Sequence, residues 1–160
     1  MIDTWSNNID RFIELADKYN VRMVMVGGGA VNFHGYQRHS ADVDFWIDTT
    51  DDNLSKLSDL FNEMGYGVVV FPKEVRNQFQ NISVKFSPVE LNLELITKFS
   101  SSKSFNEVYK DSEEIEIKGH KILRWRVISY NDLIDSKLKA QRPKDFLDIQ
   151  QLQLINKKTK

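Results

Sequence analysis

Two aspartates separated by one valine, Asp42 and Asp44 in "DVDFWI", are the residues most suited to chemistry in this chain. The apolar pattern around them predicts a strand, which projects both carboxylates from one face with Cα atoms roughly 7 Å apart. Val43 and Phe45 then point the other way, into a core. Like charges on one face raise each other's pKa unless a cation sits between them. A pair of magnesium ions meets that need, because hard cations prefer carboxylate oxygens. Upstream, "VMVGGGAV" runs from an apolar strand into Gly27, Gly28 and Gly29. Such a turn opening a helix leaves backbone N–H groups unpaired, and missing β-carbons let a phosphate approach them. A metal-bound triphosphate would connect the two features. A third acid is expected from "VELNLELI", where Glu90, Asn92 and Glu94 share a face opposite Leu91, Leu93 and Leu95.

The elements that position these groups are legible by period. Trp5, Ile9, Phe12, Ile13 and Ala16 are spaced for a helix over 4–19, and "VRMVMV" reads as a buried strand. Ala30 to Phe33 open a short helix after the glycines. "TTDDNLSKLSDLFNEMG" carries capping residues in front and a terminal Gly65, so it reads as a helix. Strands are expected at "GVVVF", "NISVKF" and "VELNLELI", and a hairpin on either side of Gly119-His120. "KFSSSKSF" reads as a loop before a short helix. Ser129 with Asp132 resembles a capping box, and Pro143 suits the first turn of a last helix, giving two C-terminal helices from about 129 to 155. The expected fold is a single α/β (α+β) domain spanning 1–160, a mixed central sheet flanked by helices.

Bulk composition narrows the function. The chain has 160 residues, no cysteine and a formal net charge of -1. Thiolate metal sites, disulfides and cysteine nucleophiles are excluded, and there is no global pull toward nucleic acid or membrane. The polar start and the lack of any long apolar run lead to a cytoplasmic expectation with no membrane partner. A dinucleotide-binding fingerprint fails on spacing, because Asn32 stands where its third glycine belongs. His34 and His39 are five apart, a poor pair for a metal. His34 is expected to pack beside the glycine turn and His39 to lie on a loop surface. Arg38 can pair with the aspartates, with phosphate, or form a plain structural ion pair. Lys137, Lys139, Arg142 and Lys144, interrupted by Asp135, Asp145 and Asp148, ordinarily mark a solvated face, and "NKKTK" a frayed tail.

Gly27-Gly28-Gly29-Ala30, the spacer with "HGYQRHSA", and Asp42-Val43-Asp44 together resemble the signature of the minimal nucleotidyltransferases of the DNA polymerase β-like superfamily. The likeness is closer to bacterial members of abortive-infection and toxin–antitoxin type, through "RHSADVD" and the closing "VISYNDLIDSKLKAQRPKDFLDIQQL". It covers about 24–48, 90–97 and 127–152. The resemblance implies a nucleotidyltransferase-like fold and transfer of a nucleoside monophosphate from a nucleoside triphosphate to an acceptor hydroxyl. A macromolecular acceptor such as tRNA or protein is favoured, and a cognate toxin or antitoxin is a possible partner. It further implies two magnesium ions on Asp42, Asp44 and Glu94, a phosphate turn at Gly28 and Gly29, and a triphosphate contact from Lys137. Asp145 or Asp148 matches a further family aspartate. The chain departs from the pattern at Ala30, where many members have serine, at Ser40 for threonine, and at Glu94 for aspartate. Those departures leave open a catalytically inactive nucleotide- or partner-binding member. The expected geometry is convergence of residues 42, 44 and 94 on one pocket rimmed by 27–29.

Overall fold

A computed structural model describes residues 7–86 and 89–159. Six strands form one mixed sheet: β1 (Met23–Val26), β2 (Asp42–Ile47), β3 (Ile82–Val84), β4 (Asn92–Ile96), β5 (Glu113–Lys118) and β6 (Ile122–Val127). Their spatial order is β3-β4-β2-β1-β6-β5. The β1–β2, β3–β4 and β5–β6 pairs are antiparallel, and β1–β6 and β2–β4 are parallel. The mixed α+β architecture is thus the one the periodicities predict.

The helices follow local chemistry. In α1 (Asn7–Lys18) Ile9, Phe12, Ile13, Leu15 and Ala16 are buried, an apolar stripe at helical spacing. Trp5 lies outside the described residues. Phe12 packs its ring against Phe45 of β2 and against Phe61 at the end of α3 (Asp51–Phe61), which ties α1 and α3 to one face of the sheet. The Thr50 side chain caps α3 by accepting from Asn53 N–H. A π turn at Asn62–Tyr66 then ends the helix, with Gly65 at φ 99°. Ser104 and Glu107 form a reciprocal capping box on α5 (Phe105–Asp111). The C-terminal pair is α6 (Tyr130–Ala140), capped by Ser129, and α7 (Pro143–Thr159).

Four expectations are corrected. The three glycines do not precede a helix but form the first turn of α2 (Gly27–Phe33). "GVVVF" is not a strand. Val69 and Phe71 pack inward while Val68 and Val70 are 87% and 85% exposed, and among the described residues no strand pairs with this segment. Pro72 follows and opens the short α4 (Lys73–Arg76). The expected frayed tail instead continues α7 through Thr159. The mixed-charge face is also not wholly solvated, because Lys137, Asp145 and Asp148 are buried. Elsewhere the β5–β6 hairpin closes over residues 119–121, as expected from Gly119-His120. Among the described residues no helix is long and apolar enough to cross a membrane.

Because Ser129 accepts from Asp132 N–H at 3.2 Å, Ser129→Ala removes the side-chain N-cap of α6. It is expected to lower stability by about 1 kcal/mol, read as a fall of roughly 2–4 °C in the thermal midpoint by circular dichroism.

Candidate active site

Strand pairing builds the site. Antiparallel register sets Val26 of β1 opposite Asp44 of β2, and parallel register sets Asp44 beside Glu94 and Asp42 beside Asn92 of β4. Residues in register on neighbouring strands share a face, so Asp42, Asp44 and Glu94 lie together on one side of the sheet. Val43 and Phe45 are buried on the opposite side.

The glycines are explained by what touches them. Gly27 follows Val26 directly and adopts φ +63°, and a β-carbon there would overlap Asp44 Oδ2. Both the backbone and the contact therefore require glycine at 27. A β-carbon on Gly28 would meet the Ser40 side chain at 2.6 Å. Ser40 in turn is fixed by donating from Oγ to the Asp42 carbonyl at 2.8 Å. Gly29 has a different cause, since a β-carbon there would meet Met25 Sδ at 2.9 Å. Gly27 and Gly28 line the cavity beside the acids, whereas Gly29 is not among its lining residues. Val26, at the N-cap of α2, has no side-chain acceptor to offer, so no cap bond meets the first N–H groups of the helix.

The cavity measures about 610 Å³ and is lined by Asp42, Asp44, Arg38, Lys137, Arg142 and Lys144 among others. Asp44 feels its surroundings strongly. Burial first, then the charges of Asp42 and Glu94, push its carboxyl from the usual 3.8 to about 6, against smaller opposing pulls from Lys144 and Arg38. Glu94 is not among the cavity-lining residues, and its Oε2 accepts from Ser83 Oγ at 2.6 Å. Of its two rivals, Glu90 is engaged by the Asn8 amide at 3.1 Å, and Asn92 lies in register with Asp42.

A buried ionic network forms the other wall. Arg38 forks onto Asp148, with Nε 2.9 Å from Oδ1 and Nη2 3.1 Å from Oδ2. Lys137, 5% exposed, reaches Asp148 at 2.9 Å and Asp145 at 3.4 Å. Arg142 binds Asp145 through Nε at 2.7 Å and through its backbone N–H at 3.1 Å. Burial raises the Asp145 carboxyl, but the bonds from Arg142 and the nearby Lys137 charge outweigh it and hold it below the usual range. Of the pairings open to Arg38, the one formed is with Asp148, not with Asp42 or Asp44. Its loop is held by Asn32, whose Oδ1 accepts from the Arg38 N–H at 3.0 Å. His34 lies apart from this chemistry: its Nε2 is 2.8 Å from the Ile128 carbonyl oxygen and its ring edges onto Phe33 and Tyr130. His39 is exposed, at the cavity rim.

A family model described as "Nucleotidyltransferase of unknown function (DUF6036)" matches residues 6–158. The chain belongs to this nucleotidyltransferase family. No curated protein matches it. The match spans every element of this family member's site, from the α2 turn through β2 and β4 to α7.

Whether the acids of this nucleotidyltransferase suit magnesium can be judged from their chemistry. They are hard oxygen donors crowded enough to raise Asp44, which is the condition a divalent cation relieves. Among the described residues no three such side chains are already arranged to hold a metal ion. A bound cation would need further ligands, from a rotation of Glu94 away from Ser83, from water or from substrate phosphate. Sequence reasoning missed Asn81, Phe99 and Ser100, which also line the cavity; all come from loop or strand-end positions with no periodic signal.

The raised Asp44 has a defined consequence for stability. The folded state holds its proton up to about pH 6 and the unfolded chain releases it near 3.8, so between these values the native state binds more protons. In metal-free buffer, stability is expected to fall as pH rises from about 4 to about 6. Asp44→Asn removes that fall and raises stability at pH 8 by about 1–3 kcal/mol, measured by urea denaturation in chelator. A lower stability for the variant at pH 8 contradicts the assignment of charge crowding.

Proposed function

We propose that this family member is a metal-dependent nucleotidyltransferase of the DNA polymerase β-like superfamily, moving a nucleoside monophosphate from a nucleoside triphosphate to an acceptor hydroxyl. The observation that carries the reading is the contact of Asp44 with Gly27, which puts uncapped backbone N–H groups beside a carboxylate pair in one cavity. Donors for phosphate and ligands for a cation are thereby adjacent.

The chain's residues divide the work. Backbone N–H groups at Gly27 and Gly28 receive the β- and γ-phosphates, and Arg142, Lys144 and Lys137 add positive charge on the facing wall. The network there sets three cations, Arg38, Lys137 and Arg142, against two carboxylates, Asp145 and Asp148, leaving a surplus that favours an anion. Asp42, Asp44 and Glu94 would hold magnesium, which would supply Lewis-acid stabilisation of the charge that develops on the phosphoryl oxygens. The acceptor oxygen forms a bond to the α-phosphorus, the bond from that phosphorus to the bridging oxygen breaks, and pyrophosphate leaves. Glu94 takes the acceptor proton. The acceptor we favour is macromolecular, a tRNA end or a protein hydroxyl, in keeping with the resemblance to that superfamily. A toxin–antitoxin setting with a cognate partner protein fits the same reading.

One observation favours a second reading, a nucleotide-binding member without turnover: Glu94 is engaged by Ser83 rather than facing the cavity. Incubation of the protein with magnesium, cell extract and each α-labelled ribonucleoside triphosphate separates the two. Transfer of label is expected, with Asp42→Asn and Asp44→Asn each reducing it at least about 100-fold and chelation abolishing it. Triphosphate binding without transfer supports the second reading, and equal transfer by the variants refutes the first.

A further inference from the structure

We infer that the β4 side of the cavity is a nucleobase pocket, in which Phe99 stacks on the base and Asn81 reads its edge; this rests on the nucleotidyl-transfer reading above. The sheet order places the parts in sequence. Gly27 follows β1, the aspartate pair is on β2, Ile96 ends β4, and Asn81 immediately precedes β3. In the sheet these strands are consecutive, β1-β2-β4-β3, and the cavity is lined by residues of β1, β2 and β4 and by Asn81 just before β3. Three strand spacings amount to about 14 Å. A triphosphate that puts its phosphates at Gly27 and its α-phosphate at the aspartates therefore directs its nucleoside toward Ile96, Phe99 and Asn81.

Ile96, Phe99 and Leu133 give that end apolar surface beside Lys98 and Ser100, whereas Arg38, Lys137, Arg142 and Lys144 also line the cavity. Phe99 is held in place by Trp46, with ring centroids 5.0 Å apart and planes at 39°. Trp46 is itself buried and edged by Phe105, so the Phe99 ring is braced from behind while it lines the cavity. A braced aromatic face beside aliphatic walls is suited to a planar heterocycle. Asn81 is oriented as well: its Oδ1 accepts from the Thr97 N–H at 3.0 Å and the Thr97 hydroxyl at 3.3 Å. With the carbonyl oxygen fixed, the amide nitrogen is left as a donor, and it meets no acceptor among the described residues. The base edge facing it must therefore present an acceptor.

The test is isothermal titration of the full chain, with magnesium, against the four ribonucleoside triphosphates and inorganic tripolyphosphate. The tightest-bound nucleotide is expected to bind more strongly than tripolyphosphate. Phe99→Ala should weaken that nucleotide about 5- to 150-fold and leave tripolyphosphate within about twofold, while Phe99→Tyr, which keeps the ring, stays near wild type. Phe99→Leu, which keeps the packing on Trp46 but not the flat face, gives the same loss if Phe99→Ala fails to fold. Asn81→Asp keeps the bond to Thr97 and converts the free donor to an acceptor, so it should reorder the preference among the four nucleotides. Equal loss of nucleotide and tripolyphosphate, or unchanged nucleotide binding in the Phe99 variants, overturns the base pocket. If those variants bind nucleotide normally but lose label transfer, the pocket belongs to the acceptor and the inference is again overturned. Tripolyphosphate binding without any nucleotide preference defeats the base pocket alone; binding of neither ligand by the wild type defeats the transferase reading beneath it.

Discussion

The contact between Asp44 and Gly27 is the constraint on which the rest of the site depends. It follows from antiparallel pairing of β1 with β2, which sets Val26 opposite Asp44 and leaves the next residue no room for a side chain. The same contact forces left-handed backbone at residue 27, so the chain leaves the sheet there and turns straight into α2. Acids and uncapped amides are adjacent because both follow from the β1–β2 pairing. A slip of one residue in the pairing would point Asp42 and Asp44 into the space held by Val43 and Phe45, and bury two carboxylates without partners.

Charge is then distributed over two walls of opposite character. The sheet wall is overcrowded with carboxylates, and the raised Asp44 reports it. The helical wall sequesters its own carboxylates, Asp145 and Asp148, beneath Lys137, Arg38 and Arg142. Arg38 also bridges sequence-distant parts of the site. Its loop is anchored to α2 through Asn32 and its guanidinium to α7 through Asp148, so the residues on both sides of the cavity are braced together. The α6–α7 pair is thereby a structural part of the site, not an appendage.

What the sequence made legible follows from range. "DVDFWI" is a strand with the predicted bounds because period-two alternation is a local property, and the α6 cap at Ser129 is equally local. That Asn92 and Glu94 share a face of β4 was legible from its alternation, whereas the parallel pairing that sets Glu94 beside Asp44, and the Ser83 bond to Glu94, were not. Asp145 and Asp148 are three apart on a helix, a spacing that places them on one side. Nothing local shows that their partner is Arg38, 110 residues away from Asp148. "GVVVF" misled for the complementary reason: β-propensity describes fit to a pleated surface, and among the described residues no strand pairs with this segment. Phe99 gave no signal, because a cavity-lining aromatic in a loop has no period to betray it.

The ionic wall also bears on why the fold keeps its C-terminal helices charged inside. Replacing a buried ion pair with apolar side chains of similar volume is often neutral or stabilising, so stability alone gives no reason for Lys137 at 5% exposure with two aspartates around it. A wall of paired charges does offer what an apolar one cannot. Its cations outnumber its carboxylates, line the same cavity as Gly27 and Gly28, and are held by hydrogen bonds that fix their direction before any anion arrives. Preorganised charge of this kind needs no reorganisation when an anion enters a partly enclosed site. The desolvation carried by Asp145, Asp148 and Lys137 is therefore best understood as the cost of presenting oriented positive charge across from a carboxylate pair. Those charged walls, together with the Phe99 ring braced on Trp46, suit a ligand that is anionic at one end and flat at the other.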